Sequence, residues 1–488
     1  MANHFLAAFI LIPLFGFAIT LAIPKKNEKA IAWTVFGSVL VNFLLALFFA
    51  GKWMFQGSEA IDERDLLLYS SDNYAFFIDF YWDKISMIFF VVGSFLVLLV
   101  ARYSQYYMHR EAGYKRFFNT LLFFYAGYSI AVLAGNIETL FIGWEFLGVS
   151  SFLLIAFYRD RYLPIKNAVK VFSIYRVGDV GVILAMWLSH HLWGENVTFA
   201  QLADASEVSH ALSEHSLVGV FIALAILVTA SAKSAQFPFT SWLPRAMEGP
   251  TPSSAIFYGS LSVHLGVFLL LRTFPLWESQ PTARILIALV GFTTALVAGG
   301  IARVQSSIKA QIAYGSAAQI GLIFIELALG WTNVALFHFA GNAFLRTYQL
   351  LVSPSTVSYL IREQFFNFQP SAKTIESFLP KRVASTFYML GMKEFFLDDA
   401  LYRFFWHPFK VIGRKLNFLT GWRLILLVAI MLAFPILKYF LIQNISQTVM
   451  HALSFMLATL AVIMVLKSFT ERKQVFEAWW LVVANHAA

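Results

Sequence analysis

Apolar stretches of about twenty residues recur along the chain, separated by polar connections. They fall at 5–23, 30–50, 85–104, 117–135, 138–157, 168–189, 217–238, 252–274, 284–302, 310–329, 332–352, 423–442 and 448–467. Each is long enough to cross roughly 30 Å of hydrocarbon as a helix. The pattern predicts an all-α polytopic membrane protein of about 13 transmembrane helices. One of them must be broken, because Pro238 sits at the end of the 217–238 stretch and removes a rung of the helical ladder. Irregular backbone at membrane depth is tolerated only where protein covers it or where it lines a cavity. The first run reads as a span and not a signal peptide, since it has neither a basic leader nor a small-residue cleavage site before Pro24. A long polar interval divides the chain into three expected parts. These are a bundle over 1–353, an amphipathic cytoplasmic segment over 354–421, and two C-terminal helices with a tail over 422–488.

The charge of the loops alternates. Lys25, Lys26 and Lys29 occupy the first loop, Arg102, Arg110, Lys115 and Arg116 the third, and Arg159, Arg161 and Lys166 the fifth. Between them, residues 51–84 hold seven acids against three bases, and residues 190–216 hold Glu195, Asp204, Glu207 and Glu214 with no Lys or Arg. Basic loops face the cytoplasm, which predicts an outside N-terminus and a cytoplasmic C-terminus. Composition agrees: of 488 residues, 59% are hydrophobic and only 13% charged, about half the globular share of roughly 25%. That excludes a disordered chain, a coiled coil and an ordinary soluble enzyme. The net charge of +9 belongs to the loops. Nucleic acid is not an expected partner, because no basic run is interleaved with stacking aromatics. The chain has no Cys, which excludes disulfides, thiolate zinc sites and Cys-ligated clusters. His190, His191, His210 and His215 share an outside loop without the spacing of a zinc site, so no cofactor is expected in this chain.

Charges inside spans are costly and mark function by default. Glu145 lies a third of the way along its span, and Lys233 stands just before the break. A desolvated lysine sheds its proton readily, a nearby carboxylate opposes this, and such a pair passes a proton by exchanging which partner is charged. Arg176 and Asp179 are spaced for an i, i+3 salt bridge. Glu326 is either a relay carboxylate or the partner of a basic side chain. His264 sits in an apolar span, while His338, Asn342 and Arg346 form one stripe on a helix. Arg346 cannot relay a proton, since arginine stays charged in proteins, and reads as a fixed charge or ion-pair partner.

Several of these residues fall in recognisable motifs. Trp144-Glu-Phe-Leu-Gly-Val-Ser150 and Lys233-Ser-Ala-Gln-Phe-Pro238, followed by Trp242-Leu-Pro and Ala246-Met-Glu-Gly-Pro-Thr-Pro252, resemble motifs of the L-type subunit of respiratory complex I. Arg176-Val-Gly-Asp179, Ile308-Lys309, Ala313-Tyr314 and Gln319-Ile-Gly321 fit as well. The resemblance covers roughly residues 75–353. It implies an antiporter-like fold that translocates protons or sodium ions, with Glu145 and Lys233 as the central ion pair. The resemblance also implies Lys309 as a relay and Asp179 as support; from their own placement, His264 and His338 are further candidates for the path, and Arg176, Glu326 and Arg346 for its electrostatic support.

The departures narrow the resemblance. Phe257-Tyr-Gly-Ser-Leu-Ser-Val-His-Leu-Gly266 and Leu345-Arg-Thr-Tyr-Gln-Leu350 are similar to DabB-type subunits of inorganic-carbon pumps, and the polar interval replaces the usual twelfth span. That branch implies a soluble, DabA-like zinc partner on the cytoplasmic face. Cation flow would there energise CO2 hydration, with no enzyme activity in the chain itself. The expected setting is the bacterial cytoplasmic membrane. A complex I or Mrp-type proton/sodium antiporter subunit is the alternative. The aromatics of 355–421, Phe368, Phe378, Phe404, Phe405 and Trp406 among them, together with Lys381 and Arg382, suggest a docking surface or a helix lying on lipid.

Overall fold

The computed structural model describes residues 5–71, 74–204, 206, 208, 210, 212, 216–367, 380–419, 421–441, 447–468, 470–471 and 474–487. Glu207, Glu214, His215, Phe368 and Phe378 lie outside the described residues. The chain forms two compact units, residues 1–395 and 396–488.

A helix stands at each of the expected apolar stretches. In the first unit these are α1 (Ala8–Ala22), α2 (Glu28–Phe55), α3 (Lys84–Tyr107), α4 (Tyr114–Leu133), α5 (Ile137–Ile155), α6 (Tyr162–Trp193), α7 (Ser216–Lys233), α8 (Thr251–Arg272), α9 (Pro281–Val304), α10 (Ile308–Ala328) and α11 (Thr332–Phe366), and a further helix, α12 (Lys381–Met392), lies within the polar interval. Among the described residues, eight helices are long and apolar enough to cross a membrane. Local chemistry sets several starts. Asn27, Asp83 and Asn136 cap α2, α3 and α5, each accepting a backbone N–H from the first turn. Helix α8 is buried along its whole length, so the other helices of the unit wrap around it.

Two features depart from the sequence reading. The acidic 51–84 loop holds an antiparallel hairpin, β1 (Ile61–Ser71) with β2 (Tyr74–Trp82), whose register shifts twice. A search for twenty-residue apolar runs passes over it, because a two-stranded ribbon needs only a short alternating pattern. Phe77, Phe80, Tyr81 and Trp82 are buried, and Trp82 stacks on Phe9. The hairpin closes one end of the bundle. Asp79 O accepts from Gly135 N at 2.7 Å, where a Cβ on Gly135 would strike the Asp79 carboxylate. Asn136 Nδ2 donates to Phe77 O at 3.1 Å and Asn196 Nδ2 to Ala75 O at 2.6 Å. Second, α11 runs through the boundary expected after residue 353 and continues to Phe366. Apolar content ends there, but a helix already nucleated propagates through polar residues.

The second unit contains α13 (His407–Lys415), α14 (Trp422–Leu441), α15 (Gln447–Ser468) and α16 (Val475–Ala487). Its core is Met464, Leu481 and Ala484, flanked by Leu424, Leu427 and Leu460. Gly413 lets α13 approach the Leu466 carbonyl closely. Buried Lys467 pairs with Glu471.

Candidate ion-translocation site

Helix α7 ends at Lys233 because the chain turns there. Ala235 takes a left-handed backbone at φ 52°, and Pro238 has no N–H to continue the ladder. Lys233 is consequently left at the tip of a helix inside protein, 1% exposed. Its ammonium sits 4.5 Å from the ring centres of both Trp144 on α5 and Tyr175 on α6, and 3.5 Å from the Trp144 carbonyl. Two aromatic faces and a carbonyl thus hold the charge, a cation–π cage that gains strength from desolvation.

The expected Glu145–Lys233 ion pair is corrected by this geometry. Glu145 Oε2 pairs instead with Arg176 Nη2 at 2.6 Å, and Arg176 Nε reaches Asp179 Oδ2 at 2.9 Å. Arg176 thus clamps two carboxylates, one on its own helix and one on α5. Among the described residues, no carboxylate lies within 4.0 Å of Lys233. The lysine's charge is met by π faces, whereas the Arg176 guanidinium presents separate N–H groups to Glu145 and Asp179 at once. Trp144 links the two groups. Its ring lies under Lys233, and its Nε1 donates to Asp179 Oδ1 at 2.8 Å. Glu145 Oε1, Ser231 Oγ and Ser234 Oγ are buried with no hydrogen-bonding partner among the described residues. Chemically, the cluster holds two cations and two carboxylates, and the lysine is one step removed from the acids.

A second cluster lies where α8, α10 and α11 meet. The start of α8 is a π-helical turn over Ser254–Ser260, followed by a 3-10 turn over Ser262–His264. This irregular winding carries His264 to α11. His264 Nδ1 donates to the Ser260 carbonyl, so its Nε2 is the acceptor for Asn342 Nδ2 at 3.0 Å. Asn342 Oδ1 in turn accepts from Arg346 Nε at 3.2 Å, and Arg346 Nη1 donates to Gln349 at 2.7 Å. Among the described residues, Arg346 has no carboxylate within 4.0 Å. The ion-pair reading of Arg346 is therefore corrected to a fixed charge held by amides. One helical turn back, His338 Nδ1 meets Glu326 Oε1 at 2.7 Å, and its Nε2 meets Gln319 at 3.0 Å. Gln319, Glu326, His338 and Asn342 line a cavity of about 410 Å³.

Lys309 stands apart from both clusters, with its ammonium 3.4 Å from the Met247 carbonyl. Glu248, next in the chain to Met247, is held by Asn167 Nδ2 at 3.2 Å. Three further residues, Arg245, Glu394 and Tyr314, share a neighbourhood of their own. Arg245, just past the break, pairs with Glu394 at 2.7 Å. Tyr314 on α10 is buried and close enough to both to feel their charges. Arg245 could have been found from its place in the Trp242-Leu-Pro motif. Glu394 could not, because only the fold brings the end of α12 to it. The docking residues divide between the units: Lys381 and Arg382 are exposed at the start of α12, and Phe404 and Phe405 are exposed in the second unit beside half-buried Trp406.

Residues 134–392 match the membrane-domain model of NADH:quinone oxidoreductase/Mrp antiporter subunits, and residues 69–118 match the N-terminal model of complex I chain 5. The chain belongs to the NADH:quinone oxidoreductase/Mrp antiporter membrane-subunit family. Family membership makes it a multi-pass membrane protein. It is 32% identical over 365 residues to NADH-quinone oxidoreductase subunit L of Escherichia coli K12, a match spanning 74% of this chain and 59% of that protein. With NADH-ubiquinone oxidoreductase chain 5 of Felis catus it shares 35% over 288 residues, 59% of this chain and 46% of that one. The chain spans about half the length of the curated relatives it matches. Its fold is like a chain of the Mrp complex from Dietzia sp., with a TM-score of 0.62 and 21% identity over 79% of this chain and 43% of that one. It is also like a chain of the archaeal membrane-bound sulfane sulfur reductase, with a TM-score of 0.57 and 22% identity over 74% of this chain and 57% of that one.

Proposed function

We propose that this chain is a cation-translocating module of a multi-subunit membrane complex, with the proton as its cargo and no enzyme activity or cofactor of its own. The observation that carries the reading is Lys233, buried at a helix break between Trp144 and Tyr175 and one residue's width from the Glu145–Arg176–Asp179 clamp. An isolated buried ammonium is costly, and an inert anchor has no need of one. Lys233 would load and release the proton, with Glu145 and Asp179 as alternating counter-charges. Family relatives named as complex I subunit L and chain 5, and a fold like a chain of an Mrp complex, favour the antiporter-module form of this reading. The setting would be a bacterial cytoplasmic membrane, with the N-terminus outside and the C-terminus inside. The test is reconstitution into liposomes with an internal pH dye and an imposed membrane potential. Potential-driven acidification by wild-type protein, abolished in Lys233→Ala, is the expected result. Equal rates in both would reject it.

A second, finer reading is inorganic-carbon accumulation through a soluble, DabA-like zinc partner. What favours it is that the stretches around His264 and Arg346, which carry the resemblance to that branch, are joined here through Asn342. In that reading Lys381, Arg382, Phe404, Phe405 and Trp406 dock the partner. Co-purification of a zinc-containing soluble protein with the tagged chain, lost on Lys381→Glu with Arg382→Glu, is its test.

A further inference from the structure

Away from both charged clusters, the bundle has a cavity of about 720 Å³ at the membrane-surface ends of α1, α4 and α5. Its mouth and its interior differ in chemistry. At the mouth stand Lys25, Lys115, Arg116 and Arg159 against only two carboxylates, Glu28 and Glu111. Two of these cations are already engaged. Lys115 donates to the Leu21 and Ile23 carbonyls at 2.8 and 2.7 Å, and Arg116 donates to the Phe157 carbonyl at 2.8 Å. Glu28 is engaged as well, by His109 at 2.7 Å. That leaves Lys25 and Arg159, both exposed, with no hydrogen bond or ion pair among the described residues. Arg159 lies near enough to Arg116 to repel it, and Asp160 opposes that repulsion in part.

Inward, the same cavity becomes an apolar slot walled by Phe17, Phe123, Val149 and Leu153. From Arg116 through Thr120 to Phe123 is two helical turns, so the slot runs about 10 Å into the bilayer. Val149 and Leu153 are 40% and 43% exposed, so the slot opens sideways to lipid. Between mouth and slot, Asn119 Oδ1 is buried with no partner among the described residues. A buried amide oxygen left without a donor costs about 1–3 kcal/mol.

We propose that this cavity is a binding site for an anionic phospholipid. The phosphate would lie between Lys25 and Arg159, relieving the Arg159–Arg116 repulsion. A headgroup or glycerol hydroxyl would donate to Asn119 Oδ1, and one acyl chain would fill the slot between Phe123 and Val149. A free phosphate ion satisfies the mouth and leaves the slot empty. A zwitterionic lipid fills the slot and adds no net charge to a mouth that is two cations in excess. Basic pockets between membrane helices at the cytoplasmic surface take anionic headgroups for this reason. Phe123 also stacks on Phe146, the residue after Glu145, so an occupied slot braces the wall behind the ion clamp.

The experiment uses the full chain in mixed micelles and follows melting temperature as palmitoyl-oleoyl phosphatidylglycerol, the phosphatidylcholine of the same chains, or inorganic phosphate is added. Phosphatidylglycerol should raise the melting temperature in a saturable way, and the other two should not. The double variant Lys25→Gln with Arg159→Gln should weaken the apparent affinity about tenfold, as expected for losing two charge-assisted contacts. Val149→Trp, which fills the slot from an exposed position, should abolish the shift while leaving the lipid-free melting temperature near wild type. Native mass spectrometry of the wild type should show one retained phosphatidylglycerol that is absent from Val149→Trp. Equal shifts with both lipids, a full shift with phosphate alone, or an unchanged phosphatidylglycerol shift in both variants would overturn the proposal.

Discussion

Around Lys233, ionisable groups touch: Arg176 grips Glu145 and Asp179 directly, and the lysine lies one indole away. Along α11, His338 meets Glu326, but Arg346 is kept from His264 by Asn342, and a glutamine flanks each end. Both regions bury charge among helices, yet they solve its cost differently. The first offsets positive charge with negative charge and keeps an unmatched carboxylate oxygen in reserve. The second surrounds one guanidinium with neutral amides and leaves the carboxylate of Glu326 to His338. A cluster of the first kind has several nearly equivalent charge arrangements. One of the second kind has a single arrangement, fixed by hydrogen-bond direction.

The largest effect is expected at Lys233. Lys233→Ala should lower potential-driven proton uptake roughly tenfold or more, while Lys233→Arg, which keeps the charge but not the exchangeable proton, should do nearly the same. Uptake by the arginine variant at the wild-type rate would show that the site needs charge only. Next comes the paired test of the two clusters. Glu145→Gln should cut uptake several-fold and Glu326→Gln less than twofold, since Gln at 326 still accepts from His338; the estimate rests on the worth of a charged over a neutral hydrogen bond. The reverse ranking would exchange the roles of the clusters.

Smaller effects fall on stability. Asn342→Leu strands His264 Nε2 and Arg346 Nε together, at about 1–3 kcal/mol for each buried group left unpaired. A lower melting temperature in detergent should report it. Arg346→Lys should recover little, because one ammonium cannot reach both Asn342 and Gln349 in the geometry of the planar fork. The last effect is pH-dependent and lies in the hairpin. Burial and the neighbouring Asp62 push the Asp79 carboxyl up to about 8. The folded state therefore holds the Asp79 proton more tightly than the unfolded chain does. Stability from this residue is full below the ordinary carboxyl range and is lost as pH rises towards about 8. Melting temperature should fall between about pH 4 and about pH 8, and Asp79→Asn should flatten that slope.

Much of the first region was legible in the sequence, and the reason is local. Lys233 before a proline, Glu145 inside an apolar run and the Arg176–Asp179 spacing are all visible within a few residues. The correction concerned partners, because which carboxylate meets which cation depends on how α5, α6 and α7 rotate against one another. The α11 stripe was legible as a face, through the i, i+4 spacing of His338, Asn342 and Arg346. That His264 joins it was not, since the π-helical and 3-10 turns of α8 shift that residue off the ideal helical phase. The hairpin escaped notice for want of a long apolar run, and Glu394 because its partner Arg245 is far away in sequence.

The orientation of the Asn342 amide has a consequence for conduction. A proton moves along a chain only by landing on a lone pair and leaving from the far side. The face that Asn342 shows to His264 is an NH2 group, which has no lone pair free to receive it. The link therefore carries no proton between His264 and Arg346, whose guanidinium keeps its own proton in any case. Turning the amide over breaks two buried hydrogen bonds at once. The amide therefore holds the α8–α11 seam in one hydrogen-bonded arrangement.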